Sequence, residues 1–203
     1  SASFYDAYQE ATEQNVVVGA APADDYDADF PGNFGFNHDF FVFTLDMYPT
    51  TGGTNHVQVN VVDLAALTSA TPSLVNYQYD VEDFHLRPAV VHDGAAGEPM
   101  YFVSETGDNS HLHVVLLTGA GTPGVSFVTY NVAVTPYQQM VPPLQPGGSA
   151  ITTTIDSRIL KAAVQGDTLV ATHAVSNAAG DRSFARWYQI DLSGLNPVVV
   201  DQG

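Results

Sequence analysis

The sequence predicts an all-β protein made of about three four-stranded antiparallel blades of the β-propeller kind. Three observations carry that reading. From about residue 34 to the end, short apolar or alternating runs recur between Gly, Pro, Asn and Asp residues, the mark of strands and turns. No stretch has the length and 3.6-residue periodicity of a long amphipathic helix. Finally, segments of successive four-strand groups resemble one another.

The elements follow in order. Residues 1–33 form an acidic N-terminal segment. Blade 1 spans 34–81 and holds FGFNH (34–38), FFVFTLDMY (40–48), HVQVNVVDL (56–64) and SLVNYQYDV (73–81), with PTTGGTN as the central hairpin. Blade 2 spans 87–134 and holds RPAVVHD (87–93), PMYFVSE (99–105), LHVVLLTG (112–119) and SFVTYNVAV (126–134). The stretch 135–157 is rich in Pro, Gly and Thr and reads as a surface excursion between blades. Blade 3 spans 158–203 and holds ILKAAVQG (159–166), TLVATHAVS (168–176), RWYQIDL (186–192) and PVVVDQG (197–203).

The internal matches support this division. FVSETGDNS (102–110) aligns with AVSNAAGDRS (174–183), each a strand end, a turn with Gly-Asp-x-Ser, and a strand start. VVDLAALTSATPSLV (61–75) aligns with QIDLSGLNPVVV (189–200) through Asp-Leu-x-x-Leu, a Pro and an apolar strand. Arg87 and Arg158 open the first strands of blades 2 and 3. Propellers close with four to eight blades. Three blades therefore imply partners: remaining blades beyond this sequence, or other copies of the chain. The alternative arrangement is a twisted β-sandwich.

Composition narrows the function classes. At 203 residues and 45% hydrophobic content the chain can bury a sizeable core. Twenty-two Asp and Glu against 5 Lys and Arg give a net charge of −17, which disfavours nucleic acid and anionic membranes as partners. It suits an extracellular or cell-surface protein and makes divalent cations natural counter-ions. No Cys is present, so disulfides and thiolate metal sites are excluded. No apolar run reaches the length of a membrane span. The start SASFYDAYQEATEQ lacks the basic and apolar parts of a signal peptide, so an exported form is expected to have lost it.

DFPGNFGFNHDFFVFTLDMY (29–48), IDSRILKAAVQGDTLVATHAVS (155–176) and RWYQIDLSG (186–194) together resemble segments of secreted bacterial β-propeller proteins, a largely uncharacterised group distantly sialidase-like. The resemblance covers most of residues 29–203 and implies a secreted propeller. The turns depart from the Ser-x-Asp-x-Gly-x-Thr-Trp box of sialidases, reading Ser-x-x-Gly-Asp-x-Ser instead. The arginine cluster, tyrosine–acid pair and aspartate acid/base of those enzymes find no counterpart set in this sequence.

Candidate sites are few. Asp25, Asp27 and Asp29 alternate in APADDYDADFPGN and could supply carboxylate oxygens to Ca²⁺, although Phe30 and Phe36 occupy positions where an EF-hand wants Gly and Glu. A solvated acidic linker is the plainer account. His111 and His113 share one face of a strand and could share a metal, or serve as ordinary sheet polar residues. Arg87 and Arg158 could clamp a carboxylate or sulfate together, or pair with Asp83, Glu82 or Asp156 upstream. Asp39, Asp93 and Asp167 recur between first and second strands, as a carboxylate set for glycoside hydrolysis or as turn residues. No nucleophile elbow or phosphate loop is present.

A non-catalytic recognition or assembly module is therefore expected, with a glycosidase or polysaccharide lyase at the channel mouth as the alternative. Calcium bound near Asp25, Asp27 and Asp29 predicts a thermal midpoint that falls when EDTA is added. An unchanged midpoint removes the calcium site.

Overall fold

The computed structural model describes residues 26–29, 34–50, 52–143, 145–150 and 156–203. Within them the chain is all-β apart from one helical turn. In chain order the strands are β1 (Tyr26–Asp29), β2 (Phe34–Phe36), β3 (Phe40–Pro49), β4 (His56–Asp63), β5 (Asn76–Val81), β6 (Arg87–Pro88), β7 (Val90–Val91) and β8 (Met100–Glu105). They continue as β9 (His111–Thr118), β10 (Ser126–Ala133), β11 (Gln138–Gln139), β12 (Ile159–Gln165), β13 (Thr168–Ser176), β14 (Ser183–Asp191) and β15 (Val198–Gln202). The single-turn helix α1 (Leu64–Leu67) follows β4.

Three antiparallel meanders organise these strands. β2-β3-β4-β5 forms unit 1, β6-β8-β9-β10 unit 2 and β12-β13-β14-β15 unit 3. Between the units, β7 pairs in parallel with β2 at Val90↔Phe36 and with β12 at Val90↔Ala163. The described strands thus make two open sheets, of 11 and 4 strands. The first strand of unit 2 is split, because its start pairs with β8 and its end pairs with units 1 and 3.

Alternation decides which side chains meet between units. Val42, Val57, Val59 and Val61 of unit 1 share a buried core with Met100, Phe102, Val115 and Leu117 of unit 2. The opposite face of unit 2, with Val103, Leu112 and Val114, shares a second core with Leu169, Ala171, Tyr188 and Ile190 of unit 3. Unit 2 is therefore covered on both faces. On the far side of unit 1, Phe41, Phe43, Leu45 and Val62 are covered in part by Leu64, Leu67 and Leu74.

Where units approach most closely, glycine is required. A Cβ on Gly35 would collide with the Ala89 carbonyl and with the Met100 methyl. The matched Asp-Leu-x-x-Leu segments are also explained locally. Asp63 accepts a hydrogen bond from the Ala66 amide at 2.9 Å, and Asp191 accepts one from the Ser193 amide at 2.9 Å. Both close the exit of a third strand with an acid, as Asp does in capping and turn positions.

Two segments depart from the sequence reading. Residues 26–29, expected within an acidic linker, form β1 and pair with the end of β3. The 135–157 connection does more than skirt the surface: β11 pairs with β13, and Tyr137 is 5% exposed inside the core. Its backbone is tied down by Ser157 Oγ, which accepts from the Met140 amide at 2.7 Å, and by Ser183 Oγ, which accepts from the Val141 amide at 2.9 Å. Composition marks Pro and Gly as irregular, but it does not show that a neighbouring tyrosine will be buried.

Tyr137 packs edge-on against His173, with ring centroids 4.8 Å apart. His173 is 1% exposed and lies between the Ser157 carbonyl, 2.6 Å from Nδ1, and the Tyr188 hydroxyl, 2.9 Å from Nε2. A carbonyl can only accept, so Nδ1 carries the proton and Nε2 accepts from Tyr188. Burial pushes the His173 pKa below its ordinary value of 6.5, and burial pushes the Tyr188 hydroxyl up to about 12. A depressed imidazole contributes stability that is present above pH 6.5 and lost as pH falls through its folded value. Wild-type unfolding free energy is expected to decline between about pH 7 and pH 5, and His173→Gln to flatten part of that slope. Denaturant melts at fixed pH values measure it; parallel slopes for both proteins would count against a buried neutral imidazole.

Candidate functional site

The densest group of buried charge lies where the chain passes from unit 1 to unit 2. His85 is in the left-handed region at φ 53°, which costs a non-glycine residue on the order of 1 kcal/mol or more. That conformation lets its amide donate to Asp46 Oδ1 at 3.2 Å while its ring turns between two acids. Nδ1 is 3.0 Å from Glu105 Oε1, and Nε2 is 3.8 Å from Asp46 Oδ2. Asp46, at the end of β3, is 1% exposed.

Arg87 follows two residues later and is 2% exposed. Its Nε donates to the Ile159 carbonyl of unit 3, while Nη1 has no hydrogen-bond partner. Asp46 Oδ2 and Glu105 Oε2 are likewise buried without one. Burial raises the Asp46 carboxyl above its ordinary pKa, against the pull of His85, Arg87 and Arg158. Burial, helped by the Arg158 charge, lowers the Arg87 guanidinium, against Asp46, Glu105 and Asp156. Arg87 thus feels Asp46 and Glu105 through space rather than through a short ion pair of its own.

Arg158 is held differently. Its Nε and Nη2 donate to the two Asp156 oxygens at 2.8 and 2.9 Å, a two-pronged pair. Burial pushes the Asp156 carboxyl up, but the Arg158 hydrogen bonds and charge outweigh it and hold that carboxyl below its usual range. The Asp156 hydrogen bond raises Arg158 in turn. Thus the two arginines singled out in the sequence do lie near each other, yet Arg87 is enclosed and the fork of Arg158 is filled.

Beside this cluster opens a cleft of about 510 Å³ between units 1 and 2. Asp80, Glu82 and Asp83 give it an acidic lip, while Leu86, Val115 and Phe127 form its apolar floor. His113 lines it and sits 2.6 Å from Asp83 Oδ1 through Nδ1. His111 is instead held by Asp108, at 2.7 Å from Oδ2. The two imidazoles are therefore bound through Nδ1 to separate acids. Hydrogen bonds from Thr106 first, then from the Ser110 amide and His111, hold the exposed Asp108 carboxyl far below its usual range.

Among the described residues no three His, Cys, Asp or Glu side chains form a metal-ligand set. Asp25 lies outside those residues, and Asp27 and Asp29 stand in β1 opposite Tyr48 and Asp46 in register. The Gly-Asp turns also differ more than their alignment implies. In unit 3 the left-handed residue is Gly180, at φ 68°; in unit 2 it is Asn109, at φ 56°, rather than Gly107.

Two of the recurring hairpin aspartates are engaged by backbone amides. Asp39 Oδ2 accepts from the Gly97 amide of unit 2 at 2.6 Å, and Asp93 Oδ1 accepts from the Gly166 amide of unit 3 at 3.0 Å. Each acid ties its own hairpin to that of the next unit. No protein-family model, curated protein or solved structure matches the chain.

Asp46, His85 and Glu105 were missing from the sequence-derived candidates. The available signal was a lone acid in the apolar run FFVFTLDMY and a histidine directly before the buried Leu86-Arg87 step. Because Asp46 and Arg87 feel each other's charge in a buried setting, Asp46→Asn and Arg87→Met are each expected to destabilise by about 3–5 kcal/mol. The double variant should lose less than the sum, and denaturant unfolding of all four proteins measures this coupling. Additive losses would show that the two charges do not compensate each other.

Proposed function

We propose that this chain is a non-catalytic β-propeller module for recognition or assembly, working outside the cell or at its surface. The carrying observation is that units 1, 2 and 3 stack face to face while their first strands lie side by side, the arrangement expected of consecutive blades. The charges that could serve chemistry are spent inside that stack. Asp46 and Arg87 are enclosed, and Arg158 is filled by Asp156. The net charge of −17, the lack of Cys and the resemblance to secreted propellers support the location.

Recognition falls most naturally to the cleft beside the 82–86 linker. Its acidic lip and apolar floor suit a ligand with a cationic head and an apolar body, such as a basic side chain of a protein partner. A carbohydrate-active enzyme is the second reading, favoured by one observation: His85 stands between the carboxylates of Asp46 and Glu105. Incubation with alginate, polygalacturonate and chitosan, read by reducing ends and by absorbance of unsaturated products, separates the two. The module reading expects no turnover. Turnover that disappears in Glu105→Gln would replace it with the enzyme.

A further inference from the structure

β5, β10 and β15 are the last strands of units 1, 2 and 3, and each lies at the end of its sheet. A strand in that place presents unpaired backbone groups, and charges or prolines along it keep other strands away. β5 carries Asp80 and β15 carries Asp201. β10 reads SFVTYNVA, with no charge, no Pro and no Gly, and is the longest of the three. Its Ser126, Val128, Thr129, Asn131 and Ala133 are exposed. Such a strand is open to pairing with a further one.

The register fixes which backbone groups are unpaired. The Val134 amide donates to the Ser110 carbonyl at 2.9 Å, in step with the pairing of β9 and β10. Bonded positions alternate in an antiparallel ladder, so Val132, Tyr130 and Val128 also bond to β9. Phe127, Thr129 and Asn131 turn their amides and carbonyls outward, where they meet no hydrogen-bond partner among the described residues. Phe127 and Thr129 also line the acidic cleft between units 1 and 2. Open edge and cleft therefore form one continuous surface.

We infer that β10 is a docking edge for an extended segment of a protein partner, in which basic residues alternate with apolar, β-branched ones. Added to β10, such a segment pairs its backbone with Phe127, Thr129 and Asn131. Every second side chain then turns to the side of Phe127 and Thr129, where Asp80, Glu82 and Asp83 form the acidic lip. The others fall beside Val128, which is 42% exposed on the opposite face. A second copy suits this edge poorly, because it brings another net charge of −17 to an acidic lip. This rests on the cleft being the recognition surface, and adds to it the class of partner and the mode of binding.

Amide hydrogen exchange, read by nuclear magnetic resonance on the whole chain with the peptide acetyl-Arg-Val-Arg-Val-Arg-Val-amide, tests it. Saturating peptide should slow exchange at Phe127, Thr129 and Asn131 by about tenfold and leave Val128 and Tyr130 as they were. A peptide methylated on alternate backbone nitrogens keeps its charges but loses one bonding edge, and should bind about tenfold more weakly. Thr129→Pro removes an outward amide without breaking the ladder to β9 and should cost a similar factor. Glu82→Gln, at an exposed position, should weaken binding less, and less still at high salt. Unchanged exchange at the three amides overturns the inference, as does their protection in the protein alone growing with concentration, which would assign the edge to a second copy. Equal affinity for the methylated peptide also overturns it, yet leaves the cleft as a site for a basic side chain. No affinity for either peptide removes both. The polysaccharide assay reads the non-catalytic reading separately.

Discussion

Everything in this protein hangs on a short buried segment, Leu86 to Val91, that belongs to two sheets at once. Leu86, Arg87 and Ala89 are at most 2% exposed, so every polar backbone group there must be satisfied within the protein. The chain meets that demand by changing partners midway. Arg87 and Pro88 pair with β8, the Ala89 amide donates to Tyr101 at 2.8 Å, and Val90 then bridges β2 and β12 before His92 donates to Val164 at 3.0 Å. One strand thereby joins three meanders, and Gly35 is obliged to be small so that the approach can occur.

The charge cluster follows from the same constraint. An arginine buried at the start of such a strand needs compensation, and it comes from acids at the ends of neighbouring second strands, Asp46 and Glu105, with His85 between them. Buried ionic groups of this kind contribute little net stability, but removing one of them exposes the cost of the rest. Here the groups come from units 1, 2 and 3 alike, so the cluster fixes how the units sit against one another. In a chain of net charge −17, placing Arg87 and Arg158 at this junction spends scarce positive charge on assembly of the core.

Much of the local architecture was legible because it depends on side-chain alternation. Runs such as HVQVNVVDL and TLVATHAVS carry one buried and one more exposed face, and both form strands near the expected bounds. What was not legible depends on tertiary contacts. RPAVVHD reads as one strand, but its division into β6 and β7 is imposed by partners from three different units. Tyr137 looks like a loop residue beside prolines, yet it is buried by His173, 36 positions on. Arg87 and Arg158 were visible as candidates, while Asp46 was hidden inside an apolar strand and Glu105 inside a turn motif. The aligned glycines 107 and 180 show the limit most clearly, since only the second adopts the left-handed backbone.

The Leu86–Val91 segment makes the three meanders one cooperative body. Native-state hydrogen exchange in low denaturant tests it most directly, through the amides of Ala89 and His92 and those of β4, β9 and β13. All of them should exchange through a single opening whose free energy equals that of global unfolding. Unit 3 opening alone, with β13 exchanging well below the global value while Ala89 stays protected, would contradict it.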